Sequence, residues 1–117
     1  MKKMSTNSGC DILSRLYEVV LDRRRAPSEK SYVASLLQEG AEKIHAKIAE
    51  ESGEVLDASH RGSRTDIIHE TADLWFHCIV LLGHHGIAPA DIYRELERRW
   101  GTSGLEEKAG RSRQDNP

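Results

Sequence analysis

Residues 41–85 read AEKIHAKIAEESGEVLDASHRGSRTDIIHETADLWFHCIVLLGHH and carry two consecutive helical patterns. In the first, apolar residues recur at helical spacing among Ala, Glu and Lys, which predicts a helix over about 41–60. Gly62 stands where a C-terminal cap belongs, and Ser63 or Thr65 can cap the helix that follows. The short connection predicts a hairpin turn, and residues equally distant from it lie at the same level if the helices are antiparallel neighbours.

The second pattern continues to about His85 and is mostly apolar all round, which is typical of a buried helix. Helical periodicity also predicts shorter helices over about 11–25, 32–38 and 89–100. No segment alternates with period two for long enough to predict a strand. The predicted fold class is therefore all-α, a bundle of about four to five helices.

Length and composition limit what the chain can be. Its 117 residues predict a single domain over 10–117, after a polar segment over 1–9 that we expect to be disordered. A formal net charge of -2 and 5% aromatic residues argue against a protein that binds nucleic acid. No apolar run reaches the roughly 20 residues of a membrane span, and no secretory signal is recognisable. Two cysteines at no metal or redox spacing favour a reducing compartment, so we expect a cytoplasmic protein without a membrane partner.

Charged residues form a stripe along the first helix of the hairpin. At about 100° per residue, Lys43, Lys47, Glu50 and Glu54 fall within a stripe about 60° wide. Glu51 lies about 60° to one side of this stripe, toward the apolar face. The stripe therefore borders the face that is expected to be buried.

Glu70 and Asp73 share one stripe of the second, mostly apolar helix with His77. Acidic side chains are almost never fully buried unless they are paired or bind a metal. At 1.5 Å per residue, Glu70 and Asp73 lie about 10 and 15 Å after the turn. The acids of the first helix lie about 12 to 17 Å before it, so four or five carboxylates converge if the helices are antiparallel.

Such a convergence needs a compensating charge. Two like charges about 4 Å apart repel by roughly 4 kcal/mol at an effective dielectric constant near 20. The acids are therefore splayed into water, partly protonated, or bound to a divalent cation. Oxygen ligands favour Mg²⁺, Mn²⁺ or Ca²⁺ over zinc. Lys43 and Lys47, on the same stripe, can meet the rest of a polyphosphate, which indicates metal-assisted hydrolysis of a phosphoanhydride.

The pair Glu51-x-x-Glu54 followed by Glu70-x-x-Asp73 resembles the acidic motif of the all-α nucleotide pyrophosphohydrolases of the MazG-like superfamily. The sequence is most similar to one branch, the phosphoribosyl-ATP pyrophosphatase family. Four stretches carry this resemblance in the family's order: SYVASLL (31–37), KIHAKIAEESGEV (43–55), ETADL (70–74) and RRWGTSGLEEKA (98–109). The last of them is the most specific.

The resemblance implies the second step of histidine biosynthesis, in which phosphoribosyl-ATP gives phosphoribosyl-AMP and pyrophosphate with Mg²⁺. It also implies a homodimer of helical subunits that completes the bundle, with the site near the interface. By position, it implies catalytic roles for Glu50, Glu51 and Glu54, with Glu50 acting on a water or a second ion. It implies a metal site of Glu51, Glu54, Glu70 and Asp73, and phosphate binding by Lys43 and Lys47.

Two glycines depart from the family pattern. Gly53 lies inside the acidic helix, where glycine costs up to about 1 kcal/mol relative to alanine. Our hypothesis is that the missing Cβ permits close helix packing at this position. Gly110 stands where the family pattern has Ser. Neither glycine removes a proposed ligand.

Other interpretations of the same residues remain open. Glu42-x-x-His45 has the spacing of a di-iron ligand pair, but Glu42 projects about 100° away from Lys43. His77 is expected to be a satisfied core histidine or a partner of a metal ligand, and Cys78 to fill the core. Two other functions compete: a related pyrophosphohydrolase that acts on ordinary or damaged nucleoside triphosphates, and a non-catalytic helical dimerisation module.

Overall fold

A computed structural model of the chain describes residues 8–26, 28 and 31–101, with side chains from Ile12 onward. Within these residues every regular element is an α-helix, which confirms the predicted all-α class. The five helices are α1 (Ser8–Arg25), α2 (Tyr32–Glu39), α3 (Ala41–Arg61), α4 (Arg64–His85) and α5 (Pro89–Trp100). None of the described helices is long and apolar enough to cross a bilayer.

The helix boundaries follow the sequence closely, with one difference at the start of α1. This helix begins at Ser8, three residues before the predicted start, so Ser8 and Gly9 belong to α1 and not to the polar N-terminal segment. Pro89 occupies the first turn of α5, as predicted. Residues 1–7 and the specific C-terminal motif beyond Gly101 lie outside the described residues.

Local capping fixes the hairpin between α3 and α4. Gly62 adopts a left-handed conformation with φ 71°, and its N–H donates to the carbonyls of Ala58 and Ser59. The Ser63 hydroxyl accepts a hydrogen bond of 3.2 Å from the Asp66 N–H. A connection of two residues makes α3 and α4 antiparallel neighbours.

Helices α1 to α4 belong to one compact unit, which extends to Ile87, and α4 packs against each of the other three. The largest fully buried side chains come one from each helix: Val20, Leu36, Ile44 and Val80. The core therefore lies between all four helices, and every helix of this unit contributes to it.

A close approach of α1 to α4 depends on Gly83. A Cβ atom at Gly83 would overlap the Cγ1 atom of the fully buried Val20. The Arg24 guanidinium donates a hydrogen bond of 3.0 Å to the Gly83 carbonyl and closes the same contact. In contrast, no described atom outside the adjoining backbone of α3 lies within 4 Å of a Cβ built at Gly53, so the hypothesis that Gly53 permits close helix packing is wrong within the described residues.

Helix α5 belongs to a second unit that begins at Ala88. Along this helix, the Glu95 carboxylate accepts hydrogen bonds from Arg98 at 2.5 Å and from Arg99 at 2.6 Å. These two guanidinium groups lower the pKa of Glu95 to about 2. Ion pairs of this kind along a helix surface support the helix itself.

Candidate active site

Glu51 lies on the face of α3 that packs against α4, and it is 7% exposed. Burial raises its pKa, and the nearby Asp73 carboxylate raises it further, while His77 and Lys47 act in the opposite direction and Glu70 adds a smaller upward effect. Glu51 and Asp73 lie about 16 and 15 Å from the hairpin turn at 1.5 Å per residue. The fold thus brings acids from α3 and α4 to one level.

Lys47 supplies positive charge at this level. Its ammonium group lies 3.2 Å from Glu50 Oε1 and 3.8 Å from Glu51 Oε2. The hydrogen bond to Glu50 raises the pKa of Lys47, against the smaller opposing effect of burial. One lysine therefore contacts two of the predicted site residues, but its single charge leaves several carboxylates around it uncompensated.

On α4, Glu70 and Asp73 lie close together with His69. One ligand atom from each of the three residues lies within 4.8 Å of the others. His69 Nε2 is 3.7 Å from Asp73 Oδ2 and is well exposed. Carboxylate oxygens are ligands that Mg²⁺ and Mn²⁺ prefer. This donor chemistry, and the buried acid Glu51 at the same level of α3, fit a divalent cation.

Tyr32 and His77 lie beside these acids; the sequence indicated His77 as a core histidine or a partner of a metal ligand, whereas nothing in it pointed to Tyr32. The Tyr32 hydroxyl is 2.9 Å from His77 Nε2, and His77 Nδ1 is 2.8 Å from the Asp73 carbonyl oxygen. Burial raises the pKa of Tyr32, Lys47 lowers it, and Glu51 is the largest of the carboxylates that raise it. His77 is 4% exposed, which agrees with the expected satisfied core histidine. Only the position of His77 one turn beyond Asp73 hinted at this role.

Other predicted residues lie at the edge of the region. Glu50 is exposed and contacts Lys47. Glu54, one turn along α3 from Glu51, and Lys43, one turn before Lys47, are exposed, and no hydrogen bond or ion pair joins either side chain to another described residue. Their roles remain predictions. Glu42 and His45 are also exposed on α3.

The antiparallel α3–α4 hairpin, with acids of both helices at one level and a lysine beside them, is consistent with the all-α, MazG-like nucleotide pyrophosphohydrolases that the sequence resembles. The family model described as phosphoribosyl-ATP pyrophosphohydrolase matches residues 13–100. The chain therefore belongs to the phosphoribosyl-ATP pyrophosphohydrolase family, as its sequence resemblance indicated.

Individual relatives agree with the family model. A phosphoribosyl-ATP pyrophosphatase of Geobacter sulfurreducens is 56% identical over 106 residues, which cover 91% of this chain and 98% of that protein. The protein of the same name from Nitrosospira multiformis is 54% identical, over 86% of this chain and 84% of its own length. A third, from Neisseria gonorrhoeae, is 45% identical, over 89% of this chain and 97% of its own length.

Proposed function

We propose that this chain hydrolyses phosphoribosyl-ATP to phosphoribosyl-AMP and pyrophosphate, the second step of histidine biosynthesis. Family membership supports the substrate and the reaction. The observation that supports the site is the burial of the Glu51 carboxylate on α3, beside Lys47 and near enough to Asp73 and Glu70 of α4 for both to raise its pKa. A group of buried and half-buried acids at one level is costly without a cation, and a nucleotide triphosphate brings one.

We assign a divalent cation, Mg²⁺ with Mn²⁺ as a substitute, to Glu51, Glu54, Glu70 and Asp73. When bound, such an ion offsets the charge of the carboxylates and of the triphosphate during attack by water. Glu50 is exposed and hydrogen-bonded to Lys47, and we assign it to the attacking water or to a second ion. If Glu50 binds a second ion, it adds one carboxylate to the four metal ligands.

We assign Lys43 and Lys47 to the substrate phosphates. Lys47 already lies among the acids, whereas Lys43 is exposed one turn away on the same helix. A lysine ammonium binds phosphate as a compact point charge with three donors. The two lysines would therefore offset the negative charge of the triphosphate.

Pyrophosphate release from phosphoribosyl-ATP with Mg²⁺ tests the proposal directly. We expect the purified protein to release pyrophosphate and Glu54→Gln and Glu51→Gln to abolish the release. Glu42→Gln, an exposed acid of the same helix, is the matched control and should keep full activity. Full activity of Glu51→Gln would refute the assigned site. Release from ordinary nucleoside triphosphates but not from phosphoribosyl-ATP would instead favour the related pyrophosphohydrolases.

We also propose a homodimer, in which a second copy covers one face of α4. Ile68 and Trp75, two turns apart on α4, are 58% and 56% exposed, and they line an open apolar groove with Ile67, Thr71 and Ala72. Large exposed apolar side chains that line one continuous surface indicate an interaction site. We expect Trp75→Glu to give a monomer in light scattering, and Ile12→Glu, an exposed apolar residue of α1, to leave the dimer intact. A Trp75→Glu dimer would exclude this face.

The cytoplasm is the compartment that we propose. Cys78 is a free thiol within the described residues, and burial raises its pKa. A thiol of raised pKa is mostly protonated and unreactive. Such a residue is compatible with a reducing environment and needs no disulfide partner.

A further inference from the structure

The hydrogen bonds of His77 have a direction that the atom types determine. A carbonyl oxygen can only accept, so the Asp73 carbonyl requires a proton on His77 Nδ1, 2.8 Å away. In the neutral ring, Nε2 is then an acceptor, and its partner at 2.9 Å, the Tyr32 hydroxyl, must donate. In either protonation state of the ring, a proton on Nδ1 bonds to the Asp73 carbonyl and Nε2 bonds to the Tyr32 hydroxyl.

Ring packing holds both side chains in this arrangement. The Tyr32 ring stacks on Phe76 with centroids 6.3 Å apart and an angle of 18° between the planes. His77 meets the same two rings edge-on, at 5.9 Å from Tyr32 and 5.0 Å from Phe76. His77 is almost completely buried, whereas Tyr32 is 49% exposed. Tyr32 is thus anchored on its inner side and open on the other.

The charged residues of the candidate site act on the Tyr32 hydroxyl. Lys47, Glu50, Glu51 and Asp73 all contribute to its electrostatic environment. Tyr32 therefore borders the charged part of the candidate site, from the side of α2.

We propose that Tyr32 is a positioning residue, whose hydroxyl bonds to His77 and thereby holds the His77 ring against the Asp73 carbonyl. The Tyr32–His77 pair in this way ties α2 to the turn of α4 that carries Asp73. This inference rests on the proposed function, because it gives the Asp73 carboxylate the role of a cation ligand. Partners that orient metal ligands in this way typically change metal affinity or activity by about 10- to 100-fold when they are removed.

The hydrogen-bond direction can be tested on the unaltered, metal-free protein. Long-range ¹H–¹⁵N NMR spectra should show a proton on Nδ1 of His77. An unprotonated Nδ1, with the ring proton on Nε2 alone, would overturn the proposal. This measurement does not depend on activity, so its result is separate from the success or failure of the proposed reaction.

Tyr32→Phe tests the consequence for the site, because it removes only the hydroxyl and keeps the ring contacts. By isothermal titration calorimetry, we expect Mg²⁺ to bind at least about 10-fold more weakly, with a fall of kcat of similar size and a KM for phosphoribosyl-ATP within about 2-fold at saturating Mg²⁺. Tyr17→Phe, a buried tyrosine of α1, is the matched control and should bind Mg²⁺ like the unaltered protein. Equal Mg²⁺ affinity in Tyr32→Phe and the unaltered protein would refute the role. No pyrophosphate release by the unaltered protein would refute the proposed function alone.

Discussion

Gly83→Ala should destabilise the protein, because the new methyl group has no space. It would overlap Cγ1 of Val20, a fully buried and β-branched side chain that cannot move aside without shifting α1. Overpacking of this kind typically costs about 1 to 3 kcal/mol, and the hydrogen bond from Arg24 to the Gly83 carbonyl adds about 1 kcal/mol if the helices separate. The higher helix propensity of alanine relative to glycine offsets about 1 kcal/mol of this loss.

The net expectation is a loss of about 2 kcal/mol in the free energy of unfolding. For a chain of 117 residues, this corresponds to a fall of roughly 6 to 10 °C in melting temperature. Thermal and urea unfolding followed by far-UV circular dichroism measure both quantities, at one fixed protein concentration because self-association shifts apparent stability.

A double-mutant cycle with Val20→Ala isolates the steric cause. If the clash is responsible, Gly83→Ala should be neutral or stabilising by up to about 1 kcal/mol once the valine methyl groups are gone. An equal loss in the two backgrounds would show that the close approach of α1 and α4 is not what requires glycine.

Three further perturbations test separate features of α3 and α4. Gly53→Ala should stabilise the protein by up to about 1 kcal/mol in urea unfolding, because no described atom meets the added Cβ; destabilisation would indicate a contact there. Ser63→Ala should cost about 1 kcal/mol, because the N–H of Asp66 loses its cap, whereas Ser63→Asp should keep most of the stability. Glu51→Gln should stabilise the metal-free protein at neutral pH, because burial and Asp73 raise the pKa of Glu51. The favourable neutral form of Glu51 is present below the usual glutamate pKa and lost as the pH rises through the raised one, so the gain should vanish in acid. Melting curves with chelator across this range measure it, and a gain that persists in acid would contradict the assigned cause.

Local signals made the α3–α4 hairpin predictable. Gly62 and Ser63 cap their helices through bonds to residues within four positions, and such bonds can be read from sequence spacing. The same turn predicts that Glu51 and Asp73 lie at one level, because the rise per residue is constant and both residues are about equally far from the turn. The predicted helix ends that are marked by a glycine or a proline therefore agree with the structure. The start of α1 has no such marker, and the helix begins three residues before the predicted position.

Contacts between helices distant in the sequence were not predictable in the same way. The Tyr32–His77 hydrogen bond spans 45 positions, and it depends on how α2 rests on α4. Periodicity gives the buried face of each helix but not the partner that covers it. The same limit applies to Val20 and Gly83, and to Gly53, where absence of a side chain suggested a contact that the fold does not make.

The two-residue link between α3 and α4 also restricts how the chain can evolve. Glu51 and Asp73 lie at one level of the hairpin because the number of residues between them is fixed by two continuous helices and this link. One residue inserted or deleted within either helical part of this span would turn one acid by about 100° relative to the other. Length variation among descendants of this gene should therefore collect ahead of α2 and after α5, and spare the span from Glu51 to Asp73.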